Sequence, residues 1–563
     1  MTPLSRRAPI FLLVLALSAG APFVSCSRGP EADEPPPAAR TEEAPPAAPA
    51  DLGIAALLPG DASMYVRLDN VPRMLGQIEK HAGERLLLQW LSGDPEEAEA
   101  ARRLLQQVRS LHVSGFFGRP KGLRGDVAQE IILIAELANA APLAKLVGPR
   151  LMRDLENAGV HDRTTIYRAA RTGRDKRESS PYVAGCKDKL ILAEKREQME
   201  AVLDAIGAGR ADSLAANRDV QKLAAGLKPK DATLWLSVSA LMKAILRDSR
   251  DPAGDRVTSE IFGFGDMTIA VATTDYGARA GRARVAMAPG SLLYELAAQP
   301  PARMEIPRCL PSRAAVYMGA TVADGRRLWT LVDRVVRNLA AARGAGGGQV
   351  YDQALRAMRT QWDLDLADLM SQVREVGLSV ELSRRQPPGV CLFLRVKDPG
   401  NARRMIGRIE ASDGFRAAFP DGATKERHHG ETVCTVGGRL QWAVVGDCIL
   451  LAPAGDLVSR AIEARTRGTG LSTSKNYGSV IRSLAERKTF FVFVDFQTLA
   501  RGGALDMDHA PPAAKEIIEN LAYGLSLTAG NGILEGTWAL NEPLDWGRLV
   551  TAIGQRKRAP DRR

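Results

Sequence analysis

The alternation of apolar and polar residues predicts a strand followed by an amphipathic helix at two places in the chain. Residues 187–206 contain the short apolar run LILA, preceded by an aspartate, and then apolar residues at helical spacing. Residues 446–465 repeat this pattern without a gap, with the run ILLA after a second aspartate. The apolar helix positions are Met199, Val202, Leu203 and Ile206 in the first copy and Val458, Ala461 and Ile462 in the second.

The same order of patterns extends outward from these two copies and predicts an internal duplication. LPGDASMYV, which starts at Leu58, matches LPSRAAVYM, which starts at Leu310, and the match places Tyr65 opposite Tyr317. Further matches keep the same order along the chain, as a duplicated fold would. They pair residues 108–114 with 373–379, 131–137 with 391–396, 234–239 with 490–495, and 266–287 with 523–540.

These elements predict an α+β protein of two homologous domains, each a largely antiparallel sheet with packed helices. We place the first domain at residues 52–300 and the second at 301–555, because Pro300 and Pro301 interrupt both helix and strand. Connections such as Val445-Gly446-Asp447-Cys448 are too short for a parallel crossover.

Two predicted elements have a defined place in these sheets. The apolar stripe of residues 325–342 predicts a helix that covers one face of a sheet. Residues 234–238 and 490–494 are nearly continuous apolar runs, which are typical of central strands covered on both faces.

The N-terminus has the pattern of a lipoprotein signal peptide, which we assign to residues 1–25. Arg6 and Arg7 precede an apolar core too short to cross a bilayer as an ordinary helix. Phe23-Val24-Ser25-Cys26 resembles the lipobox of bacterial lipoproteins, which predicts that the thiol of Cys26 carries a diacylglycerol. The alternative is an ordinary cleaved signal with an incidental cysteine.

Residues 26–51 are rich in proline, alanine and acidic residues and contain few large apolar side chains, which predicts a disordered tether. A proline-rich chain extends by about 3 Å per residue, so this segment would hold the folded body on the order of 70 Å from the lipid. The expected location is the bacterial cell envelope. Ser27 after the cysteine favours the outer membrane, by analogy with sorting in enteric bacteria.

The formal net charge of +11 includes a basic tail at residues 556–563. A basic body suits anionic lipid head groups or acidic polysaccharide, but an ordinary solvated basic surface is the preferred interpretation. The expected partners are the membrane, through the lipid anchor, and an envelope protein or lipid. Nucleic acid is not expected as a partner of an exported chain.

The opening LPGDASMYVRLDNVPRML, the KDKLILA strand with its helix, and their echoes resemble a family of uncharacterised secreted bacterial proteins and lipoproteins grouped as a domain of unknown function. Members occur in environmental bacteria such as planctomycetes and myxobacteria. The resemblance would cover most of the mature body. It implies a fold, because its motifs are fold motifs, and it brings no catalytic residues with it.

The sequence contains no motif that assigns a reaction or a cofactor. G-x-S-x-G, the phosphate-binding loop, H-E-x-x-H and C-x-x-C are all absent from the sequence. His428 and His429 could ligate a metal, but neighbours on an extended segment point to opposite faces, so we predict an exposed turn there. His112 lies in a predicted strand and is interpreted as a packed or edge histidine, not as a catalytic base.

Five cysteines remain besides Cys26, so at least one of them stays unpaired. Cys434 and Cys448 lie on strands that a third strand separates, which places their Cα atoms about 9 to 10 Å apart. Disulfides reach only about 7 Å, so these cysteines are predicted to be small core residues unless the strand order differs.

Two classes of function are compatible with the sequence. The first is a non-catalytic envelope lipoprotein that serves as a binding or scaffold protein, with a carrier of a hydrophobic or anionic ligand as its variant. The second is an enzyme whose site is assembled from residues far apart in the sequence. The first is preferred because the matched stretches share turn residues and apolar positions instead of polar ones.

Overall fold

The computed structural model describes most of the chain after residue 52. The described ranges are 53–82, 95–120, 127–140, 155–169, 181–208, 212–225, 232–240, 263–273, 279–342, 346–383, 386–453, 455–503, 515–516, 519–530 and 532–543, with the single residues 143, 145, 152, 242 and 259. The predicted signal peptide, Cys26, the tether and the basic tail lie outside these ranges. Within them, no helix is both long enough and apolar enough to cross a membrane.

The first half begins with a strand and two helices, continues with a run of six strands, and ends with further helices and strands. Its elements are β1 (Met64–Asp69), α1 (Val71–Ala82), α2 (Pro95–Gln106), β2 (Val108–Pro120), β3 (Val127–Leu137), β4 (Leu155–His161), β5 (Thr164–Ala169), β6 (Tyr182–Cys186), β7 (Lys189–Ala193), α3 (Arg196–Ala208), α4 (Arg218–Ala224), β8 (Ala232–Ser237), β9 (Thr268–Thr273) and β10 (Ala280–Ala286). Short 3-10 helices lie at Ile54–Leu57, Leu214–Ala216 and Phe264–Asp266.

The second half follows after α5 (Leu292–Ala297) and a 3-10 helix at Ile306–Arg308. Its elements are β11 (Val316–Thr321), α6 (Gly325–Ala342), α7 (Gly347–Gln361), α8 (Leu366–Ser371), β12 (Val373–Ser383), β13 (Gln386–Val396), α9 (Pro399–Ala411), α10 (Asp413–Ala418), β14 (Ala423–His428), β15 (Glu431–Val436), β16 (Leu440–Val445), β17 (Cys448–Pro453), α11 (Leu457–Arg467), a 3-10 helix (Leu471–Thr473), α12 (Lys475–Arg482), β18 (Phe490–Asp495), α13 (Phe496–Arg501), β19 (Ala522–Gly530) and β20 (Ile533–Leu540).

Within the described residues, the strands form one 20-stranded sheet in which each named pairing is antiparallel. The pairings give the order β4-β5-β6-β7-β3-β2-β1-β8-β9-β10-β20-β19-β18-β11-β12-β13-β17-β16-β15-β14. The α+β class and the antiparallel sheet are therefore as predicted. Short turns enforce this arrangement; at the turn between β16 and β17, Val445 pairs with Cys448.

The two halves are joined where we expected two separate sheets. Strand β10 pairs with β20 from Ala280 opposite Ala539 to Ala286 opposite Ile533. The side chains of Arg284 and Glu535 form an ion pair across this ladder, with Nη2 and Oε1 2.6 Å apart. The pairing satisfies the backbone groups of two strands that would otherwise be open edges, which explains why the sheets fuse.

The two halves have the same strand order when each is followed from its outer edge to the β10–β20 ladder. Strands β4 to β10 of the first half correspond in this way to β14 to β20 of the second. Strand β1 lies between β2 and β8, and Tyr65 faces Ser114 on one side and Trp235 on the other. Strand β11 lies between β12 and β18, and Tyr317 faces Ser379 and Phe493. Both tyrosines are almost fully buried.

The predicted central strands are central, but only one of them is covered on both faces. Each of the six residues of β18 is buried between β11 and β19. Strand β8 lies between β1 and β9, yet its burial alternates: Trp235 is buried, whereas Leu234 and Leu236 are partly exposed. The prediction of two covered faces is therefore wrong for β8.

The extra cover of β18 comes from a core that both halves build. Phe490 and Val492 on β18 pack in one cluster with Ile269 on β9 and Val285 on β10. The opposite face of β18, with Phe491 and Phe493, packs in the core of the second half beneath α11 and α12. One sheet and one shared core therefore bind the two halves together.

The predicted strand and helix units are confirmed. Strand β7 is followed by α3, and β17 is followed by α11, at the positions that the apolar pattern gave. Helix α6 spans Gly325–Ala342 as predicted, and its first turns bury Leu328 against residues of β12, β13 and β17.

The burial of β18 predicts a large loss of stability on truncation. Phe493 is fully buried, so Phe493→Ala should lower the free energy of unfolding by about 3 to 5 kcal/mol through lost contacts and a cavity. Val350→Ala, at a side chain on α7 that is 65% exposed, is the control and should change it by less than about 0.5 kcal/mol. Urea unfolding measures both; equal losses in the two variants would contradict the central position of β18.

Candidate functional site

A chain of polar side chains runs beneath the sheet of the first half. The hydroxyl of Tyr65 lies 2.6 Å from Nδ1 of His112, and Nε2 of His112 lies 2.8 Å from Oγ of Ser110. Ser110 in turn donates to Oε2 of Glu136 at 3.1 Å. Burial lowers the pKa of His112 to about 3, with Arg67 and Lys189 acting in the same direction. His112 is therefore a neutral packed histidine, as predicted.

The second half places a carboxyl group beneath the corresponding tyrosine. Tyr317 donates to Oε1 of Glu375 at 3.3 Å. The Glu375 carboxyl also accepts hydrogen bonds from the backbone N–H groups of Glu305 and Ile306, at 2.9 and 3.2 Å. Burial raises the pKa of Glu375 to about 7, although those two N–H groups act to lower it.

Glycine makes room for this arrangement. A Cβ atom at Gly319 would lie 2.1 Å from the hydroxyl oxygen of Tyr317, and one at Gly377 would lie 3.1 Å from its ring. Gly319 and Gly377 face each other across β11 and β12. In the first half the facing pair next to Tyr65 is Arg67 and His112. Two missing side chains thus let Tyr317 reach Glu375.

From Glu375 a network of alternating charges continues toward the surface. Arg395 on β13 lies 3.9 Å from Glu375 and 2.6 Å from Oδ2 of Asp447. Arg465 on α11 donates to Oδ1 of Asp447 from Nη1 and Nη2, at 3.3 and 3.2 Å. Burial opposes ionisation of Asp447, but the two guanidinium groups hold its pKa below the usual value. Asp447 is therefore an anion between two cations.

Two cysteines lie beside Arg465. The sulfur atoms of Cys309 and Cys448 are 3.6 Å apart, and Nη1 of Arg465 donates to Cys309 Sγ at 3.0 Å. A Cβ atom at Gly446 would lie 2.2 Å from Nη2 of Arg465, so a larger residue there would displace the guanidinium from this position. Gly446 also has a φ of +58°, which favours glycine in this turn.

Arg395, Asp447, Cys448 and Arg465 contribute to the lining of a cavity of about 490 Å³ in the second half. Its wall is built by the 3-10 helix Ile306–Arg308, strand β13, the turn before β17, the end of α11 and the 3-10 helix Leu471–Thr473. Three guanidinium groups and two carboxylates contribute to the lining. The lining residues are Glu305, Arg308, Arg395, Asp447, Cys448, Arg465, Gly468, Ser472 and Thr473.

The histidine pair lies at a hairpin turn, away from this cavity. His428 ends β14, and His429 occupies the turn with a φ of +49°. The two ring centroids are 4.7 Å apart, so the expectation that the rings point to opposite faces is wrong: the left-handed turn brings them together. Across the part of the chain that the structure describes, no three His, Cys, Asp or Glu side chains are grouped to hold a metal ion. Cys26, the predicted lipidation site, lies outside the described residues.

The cysteine prediction was correct on strand order and missed the neighbour of Cys448. Strand β16 lies between β15, which carries Cys434, and β17, which carries Cys448, as predicted. The sulfur next to Cys448 belongs to Cys309, 139 residues earlier in the chain. The sequence around Cys309 did not predict this contact, because the distance between the two sulfur atoms depends on how the helices and the sheet pack.

Comparison with known proteins adds little to this description. No protein-family profile and no curated protein matches the chain. A solved structure, crystal form I of TP0453, aligns with 74% of this chain and 96% of its own, at 10% identity and a TM-score of 0.19. A TM-score this low carries no argument about fold or function. The resemblance to the uncharacterised lipoprotein family therefore stays a prediction.

The raised pKa of Glu375 predicts that acid stabilises the second half. The folded carboxyl binds a proton near pH 7, whereas the unfolded one does so near 4.5, so the native state holds more protons between these values. The contribution of Glu375 to stability is therefore full below pH 4.5 and is lost as the pH rises to 7, by on the order of 3 kcal/mol.

Urea unfolding at pH 5 and pH 8 tests this expectation. The difference in unfolding free energy between wild type and Glu375→Gln should shift in favour of the variant at pH 8, because glutamine carries no buried charge. Glu426→Gln, at an exposed carboxyl on β14, is the control and should behave as wild type at both values. A difference for Glu375→Gln that does not change with pH would contradict the raised pKa.

Proposed function

We propose that the protein is a non-catalytic, lipid-anchored binding protein of the bacterial cell envelope, and that it holds a small anionic ligand in the cavity of the second half. The observation that carries this proposal is the convergence of Arg308, Arg395 and Arg465 on one cavity. Guanidinium groups bind carboxylates and phosphates through paired hydrogen bonds in a fixed geometry.

The three arginines differ in how freely they can meet a ligand. Arg395 and Arg465 are held by Asp447 and are 23% and 33% exposed, so they form a pre-organised wall. The side chain of Arg308 is 60% exposed, and its ion pair with Glu305 spans 2.7 Å. Because exposed ion pairs are weak, Arg308 can exchange its contact with Glu305 for a ligand at little cost.

The size and polarity of the cavity favour an anion over a lipid tail. A volume of about 490 Å³ lies within the range of sites for small ligands, roughly 300 to 1,000 Å³. Three positive and two negative side chains leave one positive charge in the lining. An apolar tail would have to desolvate these charged groups without pairing them, which is costly. Among the carrier functions, the anionic variant is therefore preferred.

We further propose that the two halves are copies of one ancestral domain, with the boundary near Pro300. The common order of strand pairings and the two buried tyrosines support this interpretation. In the matched sequences Lys187 stands in place of Gly446, and Ile206 in place of Arg465. The first copy thus lacks the arginine and the space that it needs. On this proposal the second copy binds the ligand, and the first copy is scaffold.

The proposed location rests on the N-terminal sequence. A lipid on Cys26 would anchor the protein, and residues 26–51 would tether the folded body to the membrane. The membrane, through this anchor, and an envelope protein or lipid are the proposed partners; nucleic acid is not. A folded body on a tether of this length would present its bound anion at any distance from the membrane that the tether allows.

Binding of inorganic phosphate and of acetate, measured by isothermal titration calorimetry, tests the ligand proposal. The wild type should bind at least one of these probes saturably. Arg308→Gln should weaken that binding about tenfold or more, because a charge-assisted hydrogen bond is worth about 1.5 to 3 kcal/mol.

Arg416→Gln is the matched control for Arg308→Gln. Arg416 is 69% exposed and is paired with Asp413 three residues earlier, as Arg308 is paired with Glu305. It lies outside the cavity, so this variant should bind as wild type does. The absence of saturable binding of both probes, or an equal effect of the two substitutions, would refute the ligand proposal.

The anchor is tested by metabolic labelling with a fatty acid in a bacterial host. Wild-type protein should incorporate the label and sediment with membranes, and Cys26→Ala should do neither, because the thiol is the proposed acceptor. Cys186→Ala, at a cysteine on β6, is the control and should retain the label. Label that persists in Cys26→Ala would rule out this site of attachment.

A further inference from the structure

Two cysteines that are far apart in the sequence meet in the core of the second half. Cys309 follows the 3-10 helix Ile306–Arg308, and Cys448 is the first residue of β17. Their side chains are buried, with residue exposures of 2% and 1%, and their sulfur atoms lie 3.6 Å apart. A sulfur–sulfur bond is about 2.05 Å long, so the atoms need to approach by about 1.5 Å. Small side-chain rotations supply a movement of this size.

The surroundings make the two sulfur atoms chemically unequal. The hydrogen bond between the two sulfur atoms lowers the pKa of Cys309, and the guanidinium of Arg465 lowers it further, against the effect of burial. The same hydrogen bond and burial raise the pKa of Cys448. Cys309 is therefore the more readily ionised and more nucleophilic of the two, because the thiolate is the reactive form, and Cys448 is the partner thiol beside it.

The cavity reaches one member of this pair, Cys448, and Cys309 lies directly behind it, with the two sulfur atoms 3.6 Å apart. Cys448 and Arg465 both contribute to its lining, so the wall of the cavity includes one cysteine and the cation that activates the other. By contrast, Cys391 on β13 is equally buried, and burial raises its pKa to about 12. The position beside the cavity and the lowered pKa of Cys309 thus distinguish the pair Cys309 and Cys448 from Cys391.

We propose that Cys309 and Cys448 form a redox-active pair that closes to a disulfide when a peroxide enters the cavity. In the first step the Cys309 thiolate attacks one oxygen of hydrogen peroxide, the O–O bond breaks, and hydroxide leaves. Cys309 is then a sulfenic acid. In the second step Cys448 loses its proton and attacks Cys309 Sγ, the S–O bond breaks, and water leaves. The two sulfurs together lose two electrons, and the peroxide leaves as one hydroxide and one water; the hydroxide becomes the second water when it takes the proton that Cys309 lost on ionising.

Closure of this bond would change both the fold and the charge network. It would tie the segment before β11 to the start of β17 across 139 residues, which restricts the unfolded chain. It would also make the Cys309 sulfur, which Arg465 contacts, unable to ionise and leave Asp447 as the anionic partner of that arginine. This inference does not depend on the proposed ligand, because the sulfur contact exists whatever the cavity binds.

Peptide mapping of the full chain tests the proposal. The reduced protein is treated with hydrogen peroxide, unreacted thiols are blocked with iodoacetamide under denaturing conditions, and the protein is digested with trypsin without reductant. Cleavage after arginine places Cys309 in peptide 309–313 and Cys448 in peptide 440–460. We expect these two peptides to be cross-linked, and we expect the melting temperature to rise by several degrees on oxidation and to fall again with dithiothreitol.

Variants distinguish oxidation of the pair Cys309 and Cys448 from oxidation of cysteines in general. Cys391→Ser should keep the cross-link, whereas Cys309→Ser and Cys448→Ser should lose it. Arg465→Gln should slow cross-linking about tenfold near neutral pH and move the pH–rate profile to higher pH, because it removes the stabilising cation. Arg465→Lys keeps a positive charge and should restore part of the rate.

Two results would overturn the proposal. One is a wild-type protein in which Cys309 and Cys448 are both recovered alkylated after peroxide treatment. The other is a cross-link that joins either cysteine to Cys186, Cys391 or Cys434. Because the mapping is done on the wild type, these outcomes decide the matter even if a serine variant fails to fold.

Discussion

The ladder between β10 and β20 is the interaction on which the rest of the structure depends. Each half ends in a strand whose outer edge would otherwise face water along its whole length, and an open edge of this kind invites pairing with other chains. The two edges satisfy each other, with Ala283 opposite Gly536 near the middle of the ladder. The joined sheet then brings the apolar faces of both halves into one core, so the halves are expected to unfold together.

Within this joined sheet, glycine residues determine where polar side chains have space to form a network. Both halves bury a tyrosine at the same place in the strand order, but only the second has glycine at Gly319, Gly377 and Gly446. The space that these glycines leave is filled by the hydroxyl of Tyr317 and the guanidinium of Arg465. A network of alternating charges therefore runs from beneath the tyrosine of the second half toward the surface, whereas the chain of polar side chains beneath Tyr65 ends at a single carboxyl, that of Glu136.

Local patterns in the sequence predicted the elements well and the site poorly. Apolar periodicity found the helix at Gly325–Ala342, the strand and helix units, and the turn at Gly446, because each depends on residues close together in the chain. The fusion of the two sheets, the partial exposure of β8 and the contact between Cys309 and Cys448 depend instead on strand register and on the packing of layers. The hydrophobic pattern of a strand does not show which other strand its edge will pair with.

The two edge strands of the sheet affect whether the protein associates with other copies of itself. Strand β4 has a register shift between Asn157 and Gly159, and strand β14 exposes Lys425, Glu426 and Arg427 in succession. Among the strands that the structure describes, these two terminate the pairing order. A distorted edge and a charged edge both oppose the growth of fibrils by end-to-end addition. Confinement to a membrane surface would raise the frequency of collisions between neighbours, and with these edges such crowding is compatible with a dispersed monomer.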